Sequence, residues 1–321
     1  MPTLPVVVLV GPTASGKSSL AVALACALQR RGQPAEVVNT DSMVVYRGMD
    51  IGTAKPTANE RAGVVHHLVD VLDITRTASV AEFQQMARDV VQDCRRRGVV
   101  AILVGGSALY TRAVVDEFEF PGTDPAVRAR WQARLDEVGV EVLHADLAER
   151  APEVARDILP GNGRRIVRAL EVLELTGGFR AQLPPWTYHL DGVLQFGLRL
   201  DREVMDERIA QRVHQMWADG LVDEVRALVG QGLREGRTAS RALGYQQVLA
   251  VLDGTLGEAE AIEQTITGTR RFARKQLGWY RRDPRITWFD APADEGQRDE
   301  LAELLAGLTV GPDPGRGDGP H

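Results

Sequence analysis

The sequence predicts an α/β protein, with a mostly parallel sheet flanked by helices and a helical insertion domain. Three observations carry this reading. Short β-branched runs alternate with amphipathic stretches, the pattern of parallel strands joined by crossover helices. A glycine-rich loop separates the first run from the first helix. From about Glu119 to Leu190 the alternation stops and helical periodicity remains.

Pro5–Val10 is a continuous apolar run and reads as a strand buried on both faces. The next helix is expected to start at Gly16–Lys17 and run to about Arg31, with Leu20, Ala23, Leu24 and Ala27 on one face. Glu36–Asn39 reads as a second strand, ending in Thr40-Asp41-Ser42. Ser79–Arg97 places Val80, Phe83, Ala87, Val90 and Val91 at helical spacing. Val99–Val104 is a third strand, ending in Gly105-Gly106-Ser107. Ligands of such sheets sit at the carboxyl ends of the strands. The glycine-rich loop, Asp41 and Gly105–Ser107 should therefore converge on one cleft.

Asp124-Pro125 opens a helix well, and Val127, Trp131, Leu135 and Val138 follow as one stripe. Arg164–Thr176 is another helix, closed by Gly177. Val193–Leu200 returns as a strand. Amphipathic helices are expected over Glu203–Val229, Ser240–Leu252 and Glu258–Arg282. The expected organisation is a core of residues 1–118 and 191–290, an insertion of residues 119–190, and a disordered polar tail of residues 291–321.

The chain has 321 residues, 44% hydrophobic and 26% charged, which is ordinary for a soluble globular protein. Cys26 and Cys94 match no metal-site spacing and read as reduced core thiols. No apolar stretch approaches a bilayer span and no secretory leader is evident, so a cytoplasmic location is expected, with no membrane partner. The net charge is −6, yet Gln264–Arg285 carries seven positive side chains against Asp283. A basic stripe on an acidic body is a footprint for phosphates. Lysine occurs only at Lys17, Lys55 and Lys275, against 35 arginines, so these positions suggest a need for a compact ammonium.

Gly11-Pro12-Thr13-Ala14-Ser15-Gly16-Lys17-Ser18 matches the full P-loop pattern and sits between strand and helix, as that motif requires. Backbone amides and the helix N-terminus cradle a diphosphate, Lys17 neutralises it, and the Ser18 hydroxyl is a candidate Mg²⁺ ligand. Read alone, the motif suggests ATP. However, the Val99–Val104 strand ends in Gly105-Gly106-Ser107 rather than in the acid of a Walker-B strand, which weakens that reading. Asp41, beside this loop, is either a turn residue or a general base. His66-His67 lacks a third ligand at a sensible spacing and reads as a structural pair. A small-molecule kinase and a non-enzymatic RNA-binding protein stand as alternatives.

Longer blocks narrow these alternatives. Asp41-Ser42 with Val45-Tyr46-Arg47-Gly48-Met49-Asp50-Ile51-Gly52-Thr53-Ala54-Lys55-Pro56 resembles the signature of tRNA dimethylallyltransferases, as does the opening Gly-Pro-Thr-Ala-Ser-Gly-Lys. His66-His67-Leu68-Val69-Asp70, Val104-Gly105-Gly106-Ser107-Ala108-Leu109-Tyr110, Arg168-Ala169-Leu170-Glu171-Val172, Gly244-Tyr245 and Lys275-Gln276-Leu277-x-Trp279 follow in the family's order. The resemblance covers about residues 4–290. It departs at Ser107 (usually Thr), Ala108 (Gly), Val65 (Pro), Asn162 (Asp) and Gln246 (Arg).

The resemblance implies transfer of a dimethylallyl group from dimethylallyl diphosphate to N6 of the adenosine 3′-adjacent to the anticodon, in tRNAs reading codons that begin with U. It implies catalytic roles for Asp41, Ser107 and Lys17, and a diphosphate held by Gly11–Ser18 with Mg²⁺ partly on Ser18. It further implies contacts to the tRNA anticodon stem-loop from Asp41, Ser42, Met43, Val44, Ser107, Arg164, Arg165, Arg168, Arg241, Gly244, Tyr245, Gln246, Arg274, Lys275, Gln276, Trp279 and Arg281. On the last helix Arg270, Arg274 and Arg281 share a face, with Trp279 and Tyr280 interleaved. A prenyltransferase acting on free adenine nucleotide, which would share the P-loop and Asp41, stands as the alternative within this chemistry; the helical insertion and the basic stretch 264–285 favour tRNA. A monomer is expected.

Overall fold

The computed structural model describes residues 4–179 and 184–310. The chain opens with β1 (Val6–Val10), α1 (Lys17–Arg30), β2 (Ala35–Asn39) and β3 (His66–His67). It continues through α2 (Val80–Arg96), β4 (Val100–Val104) and α3 (Ala108–Val115). Four helices follow: α4 (Pro125–Val138), α5 (Val140–Arg150), α6 (Pro152–Arg156) and α7 (Gly163–Thr176). Then come β5 (Val193–Arg199), α8 (Arg202–Ala218), α9 (Leu221–Val229), α10 (Tyr245–Leu252), α11 (Glu258–Tyr280), β6 (Thr287–Asp290) and α12 (Glu295–Val310).

All six strands lie in one parallel sheet, in the order β3-β2-β4-β1-β5-β6. The chain moves one way from β1 to β2 and the other way from β4 to β5. The order therefore reverses beside β1, and the crevice of such a sheet opens at that point. The apolar runs are buried on both faces because their alternate side chains feed two cores. Val6, Val8, Val10, Ala101 and Leu103 pack with Phe83, Ala87 and Val91 of α2. Val7, Leu9, Val100, Ile102 and Val104 pack with Leu20, Leu24 and Leu28 of α1. β1 and β4 are thus the middle layer of a helix–sheet–helix sandwich.

Several elements differ from the sequence reading. Residues 203–229 form two helices, broken at Asp219-Gly220, where Gly220 takes φ 96. Only residues 245–252 of the expected 240–252 helix are α-helical. The strands β3 and β6 were not anticipated, nor was α3. The largest correction concerns the expected tail. Residues 295–310 form α12, which lays Ala302, Leu305 and Ala306 on the α1 side of the sheet. Glu303 accepts hydrogen bonds from Arg30 and Arg31 there. Residues 311–321 lie outside the described residues. Leu305 is fully buried. Leu305→Ala is therefore expected to cost about 2–5 kcal/mol in a denaturant titration, which a tail residue could not.

The chain divides into two compact units. One comprises residues 1–116 and 188–321 and holds the sheet. The other, residues 117–187, has its own core of Trp131, Leu143, Leu147, Ile158, Ile166 and Leu170. Its buried Glu171 gathers Thr123 Oγ1, the Asp124 amide, Arg128 and Arg168. Asn162 caps α7 by accepting from the Arg165 amide, so amide and carboxylate serve equally at that position.

In the sheet unit, the 42–73 segment is anchored by two devices. Lys55, buried, donates to Tyr46 O, Asp50 Oδ1 and Asp70 Oδ1 at 2.9, 2.6 and 2.5 Å. Three acceptors around three donors is the geometry an ammonium satisfies fully. Glu224 of α9 accepts the amides of Asp50, Ile51 and Gly52 and the Tyr245 hydroxyl. Among the described residues no helix is long and apolar enough to cross a membrane.

Candidate active site

The loop Gly11–Gly16 joins the end of β1 to the start of α1. Gly16 adopts φ 82, a left-handed turn that glycine takes without penalty, and so aims the first turn of α1 back at the loop. Ala14 also holds a positive φ of 63, kept in place by packing against Met205, Ile209 and Ala273. The amides of Lys17 and Ser18 open α1 without intrahelical acceptors, at the positive end of the helix dipole. Lys17 Nζ rests on the Pro12 carbonyl at 3.1 Å. The buried Ser15 hydroxyl has no hydrogen-bond partner, and the Ser18 side chain is exposed. Two loop amides are already committed: Thr13 N–H donates to Gln276 Oε1 and Ser15 N–H to Pro12 O.

Asp41 leaves the end of β2 next to this loop. Asn39 sets its backbone, accepting from the Asp41 amide and donating to its carbonyl. One carboxylate oxygen of Asp41 accepts from the Met43 amide at 2.9 Å, a local Asx turn. The other lies beside Gly106, 3.6 Å from where a Cβ there would sit. Ser107 stands at the N-cap of α3, yet its hydroxyl caps nothing. It turns across to Ser42, donating to Ser42 Oγ at 3.2 Å and accepting from the Ser42 amide at 3.3 Å. The sequence-predicted convergence of the three strand ends is thus realised.

The electrostatics bind these pieces further. Burial pulls the Lys17 ammonium down to about 8; the Asp41 carboxylate raises it and Arg212 lowers it. Arg212 itself is lowered by burial, with Asp41 opposing. Its guanidinium donates to Thr13 Oγ1 at 3.3 Å. Two cations and one carboxylate therefore share a poorly solvated space at the mouth of the loop. Sequence reasoning missed Arg212. It lies on α8, distant in sequence from the loop, with no local signal beyond an amphipathic helix.

The other predicted site residues divide. Ser42 and Met43 line the Asp41 turn, whereas the Val44 side chain is buried. Tyr245 is a correction: it is fully buried and its hydroxyl bonds Glu224, because Gly52 leaves room for its ring. Burial beside that carboxylate pushes its phenol well above its ordinary range. Gly244 is buried with it, while Arg241 and Gln246 are exposed. Gln276 is a second correction, since it is buried and turned toward the loops rather than outward. Tyr280 is likewise buried, donating to Gly105 O at 3.3 Å.

On the outer face of α11, Arg274, Lys275 and, just beyond it, Arg281 are exposed and Trp279 is partly so. Arg270 is spent on the Asp206 carbonyl, Arg274 lies 3.6 Å from the Asp206 carboxylate, and Arg285 is spent on the buried carboxylates of Asp116 and Asp283. The free basic stripe is therefore shorter than its composition implied. In the 117–187 unit Arg164 and Arg165 are exposed, whereas Arg168 is engaged with Pro121 O, Gly122 O and Glu171.

Glu36, His67 and Cys94 form the one grouping, among the described residues, close enough to share a metal ion. Glu36, however, is already paired with Arg97 through both oxygens, which holds its carboxyl down at about 2. Burial raises the Cys94 thiol to about 11. A protonated thiol and a carboxylate already paired with a guanidinium make a poor cation site; His67 Nε2 meets Glu36 Oε2 at 2.7 Å instead.

A family model described as IPP transferase matches residues 44–283. The chain is 60% identical over 307 residues to the tRNA dimethylallyltransferase of Cutibacterium acnes, covering 96% of each. It is 60% identical over 311 residues to that of Kineococcus radiotolerans, covering 96% of this chain and 98% of the relative. Among solved structures, the tRNA isopentenylpyrophosphate transferase of Bacillus halodurans aligns with a TM-score of 0.68 at 38% identity, covering 95% of this chain and 96% of that one.

Proposed function

The chain belongs to the IPP transferase family, and on that premise we propose that it transfers a dimethylallyl group from dimethylallyl diphosphate to N6 of the adenosine immediately 3′ of the anticodon in tRNA. The observation that carries this reading is the meeting at one loop of Lys17, which donates to the Pro12 carbonyl, and Arg212, which donates to Thr13 Oγ1, with the Asp41 carboxylate close enough to raise the Lys17 ammonium. Two cations suit a leaving diphosphate, and a carboxylate beside them suits a proton acceptor.

The diphosphate lies in Gly11–Ser18, against the amides of Lys17 and Ser18 and the hydroxyl of Ser15. Lys17 and Arg212 bear on it as the allylic carbon–oxygen bond breaks and negative charge grows on the leaving oxygens. Ser107 donates near the departing group. The adenine N6 amine attacks the allylic carbon, and Asp41 accepts the proton that N6 sheds, leaving diphosphate and the prenylated base as products. The amine is a weak nucleophile, so the acceptor must be in place before attack. The target base leaves its stack to reach the cleft.

The exposed Ser18 hydroxyl and the unpartnered Ser15 hydroxyl are hard oxygen donors of the kind Mg²⁺ takes together with phosphate oxygens. Ser18 would hold the ion, which when bound spreads the charge of the diphosphate. Arg164, Arg165, Arg241, Arg274, Lys275 and Arg281, all exposed, supply phosphate contacts, and Trp279 a stacking surface. The proposed location is the cytoplasm, where the tRNA substrate is found.

The test is an acceptor comparison with labelled dimethylallyl diphosphate. Label should enter tRNA whose adenosine follows the anticodon, and AMP should take up none. Labelling of AMP with tRNA left untouched would overturn the tRNA reading.

A further inference from the structure

Among the described residues, Gln276 is the one polar side chain on the inner face of α11 that hydrogen-bonds both loops of the site. It sits between Ala273, Leu277 and Tyr280, which are buried as it is. Its amide is used at both ends. Oε1 accepts from the Thr13 amide at 2.9 Å, and Nε2 donates to the Gly106 carbonyl at 2.8 Å. Thr13 belongs to the diphosphate loop, and Gly106 to the loop that carries Ser107 and flanks Asp41.

Few side chains can do this. The bridge needs a donor and an acceptor a fixed distance apart, at a site with little water. Glutamate accepts but cannot donate when ionised, lysine and arginine only donate, and leucine does neither. The surroundings are shaped to the same end. A methyl on Gly106 would lie 2.3 Å from Gln276 Nε2. Thr13 is held from its other side, its hydroxyl accepting from Arg212. One turn further along α11, Tyr280 donates to the Gly105 carbonyl. The chain of contacts therefore runs from the Gly105–Gly106 turn, through Gln276, to Thr13 and on to the second cation.

We propose that Gln276 is a positioning residue that sets the diphosphate loop against the acceptor-base loop, through Thr13 N–H on one side and Gly106 O on the other. This rests on the prenyl-transfer reading for the names of the two loops, but the bridge itself does not. The distance between leaving group and attacking amine depends on that spacing; reacting atoms attack from about 3–3.5 Å apart, and a misplacement of about 1 Å can cost about 10²-fold in rate. The same helix exposes Arg274 and Lys275 on its outer face, so the helix that meets RNA also holds the cleft in register.

The experiment compares wild type with Gln276→Glu, Gln276→Leu and, as an independent approach to the same bridge, Gly106→Ala. Four quantities are read: Kd for inorganic diphosphate, KM for dimethylallyl diphosphate, kcat, and KM for tRNA. Gln276→Glu keeps the volume and the acceptor for Thr13 but turns lone pairs toward Gly106 O and adds a negative charge beside the loop. Diphosphate Kd and prenyl-diphosphate KM should each rise about tenfold, as expected for one buried polar group left unsatisfied. The kcat value should fall by a similar factor, while the KM for tRNA stays within about twofold. Gly106→Ala should reproduce that pattern by pushing the amide off its partners.

A raised KM for tRNA with diphosphate binding unchanged would overturn the proposal and return Gln276 to an RNA contact. Wild-type values in all four quantities for Gln276→Leu would overturn it as well. The diphosphate Kd needs no turnover. If wild type failed to prenylate tRNA but the variants still weakened diphosphate binding, the bridge would stand and the proposed reaction would fall.

Discussion

Asp41→Asn is expected to lower kcat by about 10²- to 10⁴-fold, the range for loss of a positioned general base, while tRNA and prenyl diphosphate still bind. The substitution is chosen because the local turn survives it. An asparagine oxygen can still accept from the Met43 amide, as Asp41 does now. What is lost is a carboxylate able to take the N6 proton. A second readout follows from the electrostatics. Asp41 raises Lys17, against burial and Arg212, which lower it. Removing the carboxylate should therefore shift the Lys17 titration to lower pH. Diphosphate affinity should then begin to fall at a more acid pH in the variant than in wild type. Single-turnover rates and a diphosphate titration against pH check the two effects separately. A kcat within a few-fold of wild type would remove Asp41 from the reaction.

Lys17→Met should lower kcat/KM for dimethylallyl diphosphate by about 10²- to 10³-fold, the usual cost of removing one preorganised donor to a developing oxyanion. Wild type should also show a fall in kcat/KM as pH rises through about 8, the depressed value of the free-enzyme ammonium. The sign follows from the chemistry. The charged form attracts the diphosphate, and it predominates below that value and is lost above it. kcat/KM reports the free enzyme, so the limb belongs to Lys17 before the diphosphate arrives. Lys17→Arg stays charged at every accessible pH. Its overall rate should drop because the planar head does not fit an ammonium's place, but the limb near 8 should disappear. Persistence of that limb in Lys17→Arg would assign it to another group.

The sequence already displayed the features encoded in short local patterns. The P-loop, the strands before it and before Asp41, and the Gly105–Ser107 turn were each legible, because contiguous residues determine a strand, a turn or a helix start. Their meeting in one cleft was legible too, since carboxyl ends of parallel strands share an edge. Residues that reach the cleft from far along the chain were not. Arg212 and Gln276 sit on helices whose amphipathic periodicity says only that one face is buried. Nothing local says that the buried face meets a phosphate loop. Gln276 was taken as an RNA contact through the resemblance, and Tyr280 was read with the outer basic face of α11, because neither a motif nor the spacing of charges tells a buried polar side chain from an exposed one.

Tyr245 was drawn into the RNA list by the resemblance, whereas the lack of a side chain at Gly52 makes room for its ring in the core. α12 was hidden by its many charges. Its buried stripe is narrow, made of Ala302, Leu305 and Ala306, and two of the three are alanines that hydrophobic periodicity weighs lightly. β3, with two residues, and β6, with four, are too short to show a period and form only because neighbours already offer an edge.

In the proposed reaction the P-loop holds a diphosphate departing from carbon, rather than a nucleotide whose phosphoryl group is transferred. Its most direct test is the stoichiometry of inorganic diphosphate released to prenyl groups recovered on the target adenosine, with purified enzyme, tRNA, Mg²⁺ and dimethylallyl diphosphate. One diphosphate is expected for each prenylated adenosine, with strict dependence on tRNA and no requirement for ATP. Transfer of phosphate from ATP with no prenyl group on the RNA would contradict it.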